Sequence, residues 1–283
     1  MIRSALGLGA LLLAGAASAQ PAPRTPPPTM QWLYGSGESA ASSLQAYRAF
    51  RNYVLATARR RPRHSVVLAP GATLEAPRFL RCGRRPLAVV LDVDETAIQN
   101  LGYEYDEAVR GRAYDQEIWD RWERTGQNAV LPMPGAVTAL AAVRRAGVTV
   151  IFNSNRLSRY AAQTRAAIEG AGLGPVVHRR TLWLKGDIGT TSQKDPRRAE
   201  ISRRYCVIAM AGDQLGDFSD LFNADGLGVR PRREAAGSGA FARLWGNGWV
   251  MLSNPVYGPS IRGNFDDVFP ADRRWSDPQG GND

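Results

Sequence analysis

Five short apolar runs that lack the alternation of a half-buried strand constrain this chain more than any other feature. They fall at residues 87–91, 148–152, 181–184, 207–211 and 249–252. Unbroken runs of this length are buried on both faces, which requires parallel strands with helices packed on either side. The intervening stretches have helical period. Residues 135–146 place Ala136, Leu140 and Val143 on one face, with Gly147 as the expected C-cap; residues 158–169 place Ala161, Ala162 and Ile168 in register ahead of Gly170. The expected class is α/β, a Rossmann-like doubly wound parallel sheet. With 283 residues, 44% of them hydrophobic, the chain has the material for a full core.

The N-terminus reads differently. Arg3, an apolar stretch over 5–16 and the small residues Ala17, Ser18 and Ala19 have the layout of an export signal, giving a signal peptide over 1–19 cleaved before Gln20. A proline-rich lead-in follows over 20–31, then a folded domain over 32–283. Within that domain 32–61 reads as a helical cover, with Leu44, Tyr47, Tyr53 and Val54 ahead of Pro62. No later apolar run nears the ~20 residues needed to span a bilayer, so stable membrane insertion is not expected. The expected location is periplasmic or secreted. No cysteine lies near the cleavage site to accept a lipid, and the two present, Cys82 and Cys206, would reach a compartment where pairing is permitted. The formal net charge of +10 is spread in pairs of basic residues rather than gathered on one stripe. That favours small anionic ligands and argues against a nucleic-acid partner.

In open parallel sheets ligands bind beyond the carboxyl ends of the strands. The first run there delivers Asp92, Asp94, Glu95 and Thr96, the second Ser154, Asn155 and Arg156, and the fourth Asp213, Gln214 and Asp217. Any one such segment could be a mere turn, but two paired-Asp strand ends with a serine in register imply convergence. Carboxylates ~4 Å apart repel by about 4 kcal/mol at an effective dielectric near 20, so a cation is implied. Oxygen-only ligands suit Mg²⁺, which shares its remaining positions with water and phosphate. Lys185 and Lys194 are the only lysines among 36 Lys and Arg residues. Retention of a compact ammonium at Lys194 suggests a phosphate contact, while Lys185 reads as a solvated strand end. His64 and His178 read as structural.

The order Asp-x-Asp-Glu-Thr, Ser-Asn-Arg, Lys and Gly-Asp-x-Leu-x-Asp-Phe resembles the haloacid dehalogenase (HAD) superfamily, specifically the class C bacterial non-specific acid phosphatases. Glu38 with residues 44–47, Trp119-Asp120-Arg121-Trp122, residues 134–137 and Asn254-Pro255-Val256-Tyr257-Gly258 extend the resemblance over most of the chain. Two departures stand out: many members are lipoproteins whose lipid-accepting cysteine is missing here, and Gln214 stands where asparagine is usual.

The resemblance implies a HAD-like fold with a small, mainly helical cap, here the insertion 103–133. It implies an Mg²⁺-dependent acid phosphatase acting on phosphomonoesters, with nucleoside 5′-monophosphates favoured. Asp92 would be the nucleophile and Asp94 the acid and base. Ser154 and Lys194 would hold phosphate, and Asp92, the Asp94 carbonyl and Asp213 the metal, supported by Asp217. Asn155, Trp119 and Tyr257 would meet the substrate, the two rings flanking a base, whereas Tyr105, Tyr114 and Trp122 read as packing of the cover. The resemblance also makes the strands after Cys82 and Cys206 sheet neighbours, which leaves a disulfide open, and a homodimer is compatible with it. The competing readings are a phosphotransferase using the same phosphoenzyme and a non-catalytic phospho-receiver or phosphate-binding module.

Overall fold

The computed structural model describes residues 25–278; the expected signal peptide lies outside the described residues. A short turn of helix α1 (Pro28–Met30) and a π-helical turn (Gln31–Gly35) lead into the long helix α2 (Gly37–Arg60), whose start is capped by Ser36 Oγ accepting from Ser39 N at 3.0 Å. Next come β1 (His64–Leu68) and β2 (Phe79–Arg81), an antiparallel pair that the apolar-run pattern does not announce, followed by β3 (Leu87–Leu91). The segment after β3 contains β4 (Ile98–Gln99), α3 (Leu101–Arg110), α4 (Gln116–Thr125) and β5 (Leu131–Pro132), with β4 and β5 closing it as a small antiparallel pair. Then α5 (Ala136–Arg145), β6 (Thr149–Leu157), α6 (Ala161–Gly170), β7 (Leu182–Lys185), α7 (Asp195–Arg204) and β8 (Cys206–Gly212) alternate. The chain continues through α8 (Val229–Gly237), α9 (Gly239–Ala242), β9 (Trp249–Met251) and α10 (Phe265–Val268).

The central sheet has five strands in the order β7-β6-β3-β8-β9, all neighbours parallel. The expected doubly wound α/β class is what forms. Alternate residues of the apolar runs serve opposite faces. Val89 and Leu91 of β3 pack with Tyr47, Phe50, Leu140 and Val143 from α2 and α5, while Ala88 and Val90 pack with Ile201, Phe218 and Trp249 on the other side. Each face is therefore apolar along the whole strand, and each fully buried valine or leucine contributes roughly 1.5–3 kcal/mol. The second core is ring-rich: Phe241 stacks on Trp249 at 5.5 Å, and Phe218 lies 5.1 Å from the same indole. The unannounced β1–β2 pair is tied to this layer, since Trp249 Nε1 donates to Val66 O at 2.9 Å and Ser65 Oγ to Val207 O at 2.8 Å.

Boundaries shift in one place that matters. β6 runs to Leu157, five residues past the apolar run, so Ser154 lies inside the strand rather than just beyond it. Cys82 and Cys206 form a disulfide across 124 residues, joining the loop before β3 to the start of β8. No helix among the described residues is long and apolar enough to cross a membrane.

Leu140, fully buried between α5 and the sheet, is the test of this packing. Leu140→Ala is expected to lower unfolding free energy by about 2–5 kcal/mol, read from the urea midpoint at unchanged m-value. A loss within ~0.5 kcal/mol would mean that this helix face does not carry the core.

Candidate active site

Parallel pairing of β3 with β8 brings two strand ends to one edge. Leu91 is in register with Ala211, so Asp92 and Asp213 emerge side by side, and Asp92 N donates to Ala211 O at 3.0 Å. Asp217 returns through a tight 3₁₀ turn, its Oδ2 accepting from Gln214 N at 2.9 Å. Asp92, Asp213 and Asp217 thereby place carboxylate oxygens within 4.8 Å of one another. Gly212 makes this possible: a Cβ there would stand 2.4 Å from Asp217 Oδ2 and closer still to its Cβ.

Lys194, at the start of α7, is buried among these acids. Its Nζ donates to Asp92 Oδ1 at 2.5 Å and to Asp217 Oδ1 at 2.7 Å. Burial works against the ammonium, but Asp217 and Asp92 more than offset it and hold its pKa above the usual lysine value. Asp92 is displaced upward by burial, against the pull of Lys194 and with the push of Asp217 and Asp213. Asp213 is pushed up to about 7 by burial and then by Asp217. Its orientation is fixed by Thr96 Oγ1 at 3.1 Å, Asn254 Nδ2 at 2.8 Å and Gln214 Nε2 at 3.1 Å. Gln214 also reaches Tyr257 O at 3.2 Å, so it joins the late loop to the acidic edge.

Asp94 faces a different set of partners. Its Oδ1 accepts from Arg156 Nε at 2.9 Å and Asn100 Nδ2 at 2.9 Å, while Oδ2 accepts from Ser154 Oγ at 3.3 Å. The loop turns through Glu95 at a positive φ of 47°, a conformation that few non-glycine residues adopt. Glu95 is locked there by Asn100 N at 2.8 Å, Tyr34 hydroxyl at 3.2 Å and the hydroxyl of Tyr257. Burial, then Asp94, pushes its carboxyl up to about 7.

These groups border a cavity of about 550 Å³, within the range of small-molecule sites. Asp92, Asp94, Lys194, Asp213 and Asp217 line it, as do Asn155, Trp119 and Tyr257. Ser154 is fully buried beside Asp94. Asn155 is held at both ends of its amide, by Arg197 Nη2 at 2.6 Å and Ser192 O at 2.9 Å. Tyr257 borders the cavity, and its hydroxyl is committed to Glu95.

Several features lay beyond the sequence reading. Lys185, read as a solvated strand end, lines the cavity rim with Nζ 3.4 Å from Ser192 Oγ. Tyr114, read as packing, also borders the cavity, whereas Tyr105, read the same way, is 70% exposed. Arg156, Arg197 and Arg198 are buried, which the reading of the basic residues as scattered pairs did not anticipate. Only the Ser-Asn-Arg string carried a signal for Arg156; nothing in the pattern marked Glu95, Glu104 or Glu123 as buried. In α4, Glu123 accepts from Leu157 N at 2.7 Å, tethering this helix to the end of β6, and burial pushes its carboxyl up to about 7.

The donor set fits a divalent cation. Three carboxylates converge with one ammonium among them, all donors are hard oxygen, and burial together with mutual repulsion raises Asp92 and Asp213. Asp92, Asp213 and Asp217 are the side chains that could hold it; Asp94 contributes no side-chain oxygen to the trio.

Comparisons with known proteins bear on the family and the fold. The sequence model of the HAD superfamily, subfamily IIIB (Acid phosphatase), matches residues 43–260. The fold is similar to the class C acid phosphatase from Bacillus anthracis, with TM-score 0.66 and 22% identity, covering 82% of this chain and 84% of that one. It is equally similar to the tungstate-bound form of the class C acid phosphatase from that organism, at TM-score 0.66 and 20% identity over 85% and 92%. At such identity the likeness establishes the fold. Acid phosphatase 1 of Solanum lycopersicum is 27% identical over 132 residues, 45% of this chain; the match spans 50% of that relative.

The raised acids make a stability prediction with a definite sign. Glu95, Glu123 and Asp213 each sit at about 7 in the folded chain, above their unfolded values near 4, so the folded state retains protons that the unfolded state releases. Their stabilisation is complete below pH ~4 and is lost as pH rises through 7. Metal-free protein should lose on the order of 2–5 kcal/mol between pH 4.5 and 7.5, and millimolar Mg²⁺ should restore part of it at pH 7.5. Denaturant melts with chelator and with Mg²⁺ decide this; stability that rises over that window without metal would contradict it.

Proposed function

The chain belongs to subfamily IIIB of the HAD superfamily, the acid phosphatases, and from that membership and the strand-end geometry we propose that it hydrolyses phosphomonoesters through transient phosphorylation of Asp92. The observation that carries this reading is the convergence of Asp92, Asp213, Asp217 and Lys194 at one edge of the sheet.

A carboxylate oxygen of Asp92 attacks phosphorus, and the bond from phosphorus to the ester oxygen breaks, leaving an acyl phosphate on Asp92 and an alkoxide that takes a proton from Asp94. Asp94 Oδ1 is held by Arg156 and Asn100 at 2.9 Å, whereas Oδ2 accepts from Ser154 Oγ at a longer 3.3 Å, so Oδ2 is the oxygen assigned to exchange the proton. In the second step Asp94 removes a proton from water, the resulting oxygen attacks phosphorus, and the acyl phosphate bond breaks to return Asp92 and inorganic phosphate. Lys194 and Ser154 hold the non-bridging oxygens, offsetting charge that spreads over them in a loose transition state. Asp92, Asp213 and the Asp94 carbonyl would hold Mg²⁺, with Asp217 in support. When bound, that ion would neutralise the acids and polarise the phosphoryl oxygens.

Substrate breadth follows from the rings. Trp119 and Tyr257 border the cavity that Asp92 enters, and ring faces stack on any base, which supports nucleoside 5′-monophosphates as a substrate class. We assign residues 1–19 to an export signal and the mature chain to the periplasm or exterior; the Cys82–Cys206 disulfide fits an oxidising compartment.

With p-nitrophenyl phosphate, Asp92→Asn should lose at least roughly 10³-fold in kcat while remaining folded by circular dichroism, and exhaustive chelation should abolish turnover until Mg²⁺ is returned. Parental turnover by Asp92→Asn would refute the phosphoenzyme. Trp119→Ala should raise KM for AMP about 5- to 100-fold relative to a small aliphatic ester, the scale of one lost base stack; equal effects on both esters would remove the stacking role.

A further inference from the structure

Glu104, on α3, is only 3% exposed, yet its Oε2 is sealed from solvent without a hydrogen-bond partner. It lines the cavity together with Glu107. The charges nearest to it are all acids, Glu95, Glu107 and Asp94, and with burial as the largest cause they push its carboxyl up to about 9. A buried carboxyl without a partner is costly, and a chain with 36 Lys and Arg residues has set none against it. Among the described residues no ion pair includes Glu104 or Glu107. The two buried cations at the cavity are engaged elsewhere, Arg156 by Asp94 at 2.8 Å and Lys194 by Asp92 and Asp217.

The same wall is aromatic. Tyr103, Tyr114 and Trp119 border the cavity, with ring centroids 4.8 Å apart for Tyr103 and Trp119 and 6.4 Å for Tyr114 and Trp119. Arg156 lies 5.8 Å from the Trp119 ring centre, and its charge is offset by Asp94. Ring faces attract cations, and clustered rings bordered by carboxylates are suited to ammonium groups.

We propose that this wall is a subsite for a positively charged leaving group, so that within its breadth the enzyme prefers phosphate monoesters of amino alcohols, whose ammonium sets a positive charge beside the otherwise unpaired Glu104 and Glu107 carboxyls. The inference rests on the phosphatase reading and adds a substrate class to it. The phosphate of such an ester would meet Lys194 and Ser154, while its cationic end would lie between the rings and the paired glutamates. Arrival of the cation favours the ionised form of Glu104, which burial otherwise disfavours.

The test is a ratio. Phosphocholine and 3,3-dimethylbutyl phosphate have nearly the same shape and differ in the charge of the leaving group. Full-length wild-type protein should show kcat/KM about 10-fold or more higher for phosphocholine, the scale of a desolvated cation held by rings and carboxylate, and Glu104→Gln should collapse that ratio toward one. Because each variant is its own control, a general loss of activity does not move the ratio. Phosphoethanolamine separates the two sources of recognition: faster turnover than phosphocholine assigns the contact to N–H bonds with the carboxylates, slower turnover to the ring faces, and both orders support a cationic subsite. Equal kcat/KM for phosphocholine and its neutral analogue in wild-type protein that turns over p-nitrophenyl phosphate would overturn the inference alone. Absence of p-nitrophenyl phosphate turnover would overturn the phosphatase reading and this inference with it.

Discussion

Mutual repulsion among Asp92, Asp213 and Asp217 is the constraint that the rest of the molecule answers. Three carboxylates within 4.8 Å would each prefer water or a proton, and one lysine cannot neutralise three charges. The fold keeps them together by making their positions a consequence of the sheet rather than of the side chains. Asp92 and Asp213 follow directly from two adjacent parallel strands in fixed register, and a one-residue slip would turn each carboxylate to the opposite face. Separation of the pair would require breaking β3 from β8, where both faces are covered by packed core. The disulfide at the far end of the same two strands, between Cys82 and Cys206, resists the same separation.

A second layer of polar contacts holds the loop after β3, and it draws in parts of the chain that are distant in sequence. Tyr47 of α2 donates to Thr96 O at 2.7 Å, and Tyr34 of the π-helical turn donates to Glu95. Asn100 bonds both Asp94 and Glu95, and Arg156 Nη2 donates to Asn100 Oδ1 at 2.7 Å. Tyr257 closes the circuit from the late loop, which Gln214 ties back to Asp213. The N-terminal helices are thus more than a cover on the sheet: their hydroxyls fix the turn that carries Asp94. The strained φ of Glu95 persists because several independent partners over-determine it.

What the sequence reveals follows from which interactions leave a period behind. Burial on both faces leaves unbroken apolar runs, so the five strands and their order of use were legible, as was the Ala136, Leu140 and Val143 face of α5. The ends of β3 and β8 were legible because polar residues there interrupt the runs, whereas β6 continues through polar residues to Leu157 and its end was not. β1 and β2 were not, since a short antiparallel pair tied down by Ser65 and by the indole of Trp249 needs no distinctive pattern of its own. Buried charges were the least legible. Arg156, Arg197 and Glu104 look in sequence like any solvated side chain, because what buries them is the approach of another element, and one-dimensional spacing holds no record of that approach. Gln214 is instructive in the same way: its extra methylene lets one amide reach both Asp213 and the Tyr257 carbonyl, a bridge evident only once the late loop is in place.

The distribution of charge across the cavity separates two tasks. At the sheet edge every acid has a fixed donor or the Lys194 ammonium, so the geometry there is set before any substrate arrives, which is the condition for electrostatic work on a transition state. On the α3–α4 side, Glu104 Oε2 is buried without a hydrogen-bond partner, and the segment is tied to the end of β6 and the turn after it by Glu123 with Leu157 N and by Asp120 with Arg159. Such a wall is incomplete by its own chemistry. The basic exterior draws anions to the molecule, but an anion alone satisfies only the sheet edge. A ligand that satisfies both sides must carry its phosphate at one end and hydrogen-bond donors or positive charge at the other, and the cavity is therefore polar in the sense of having two unlike ends.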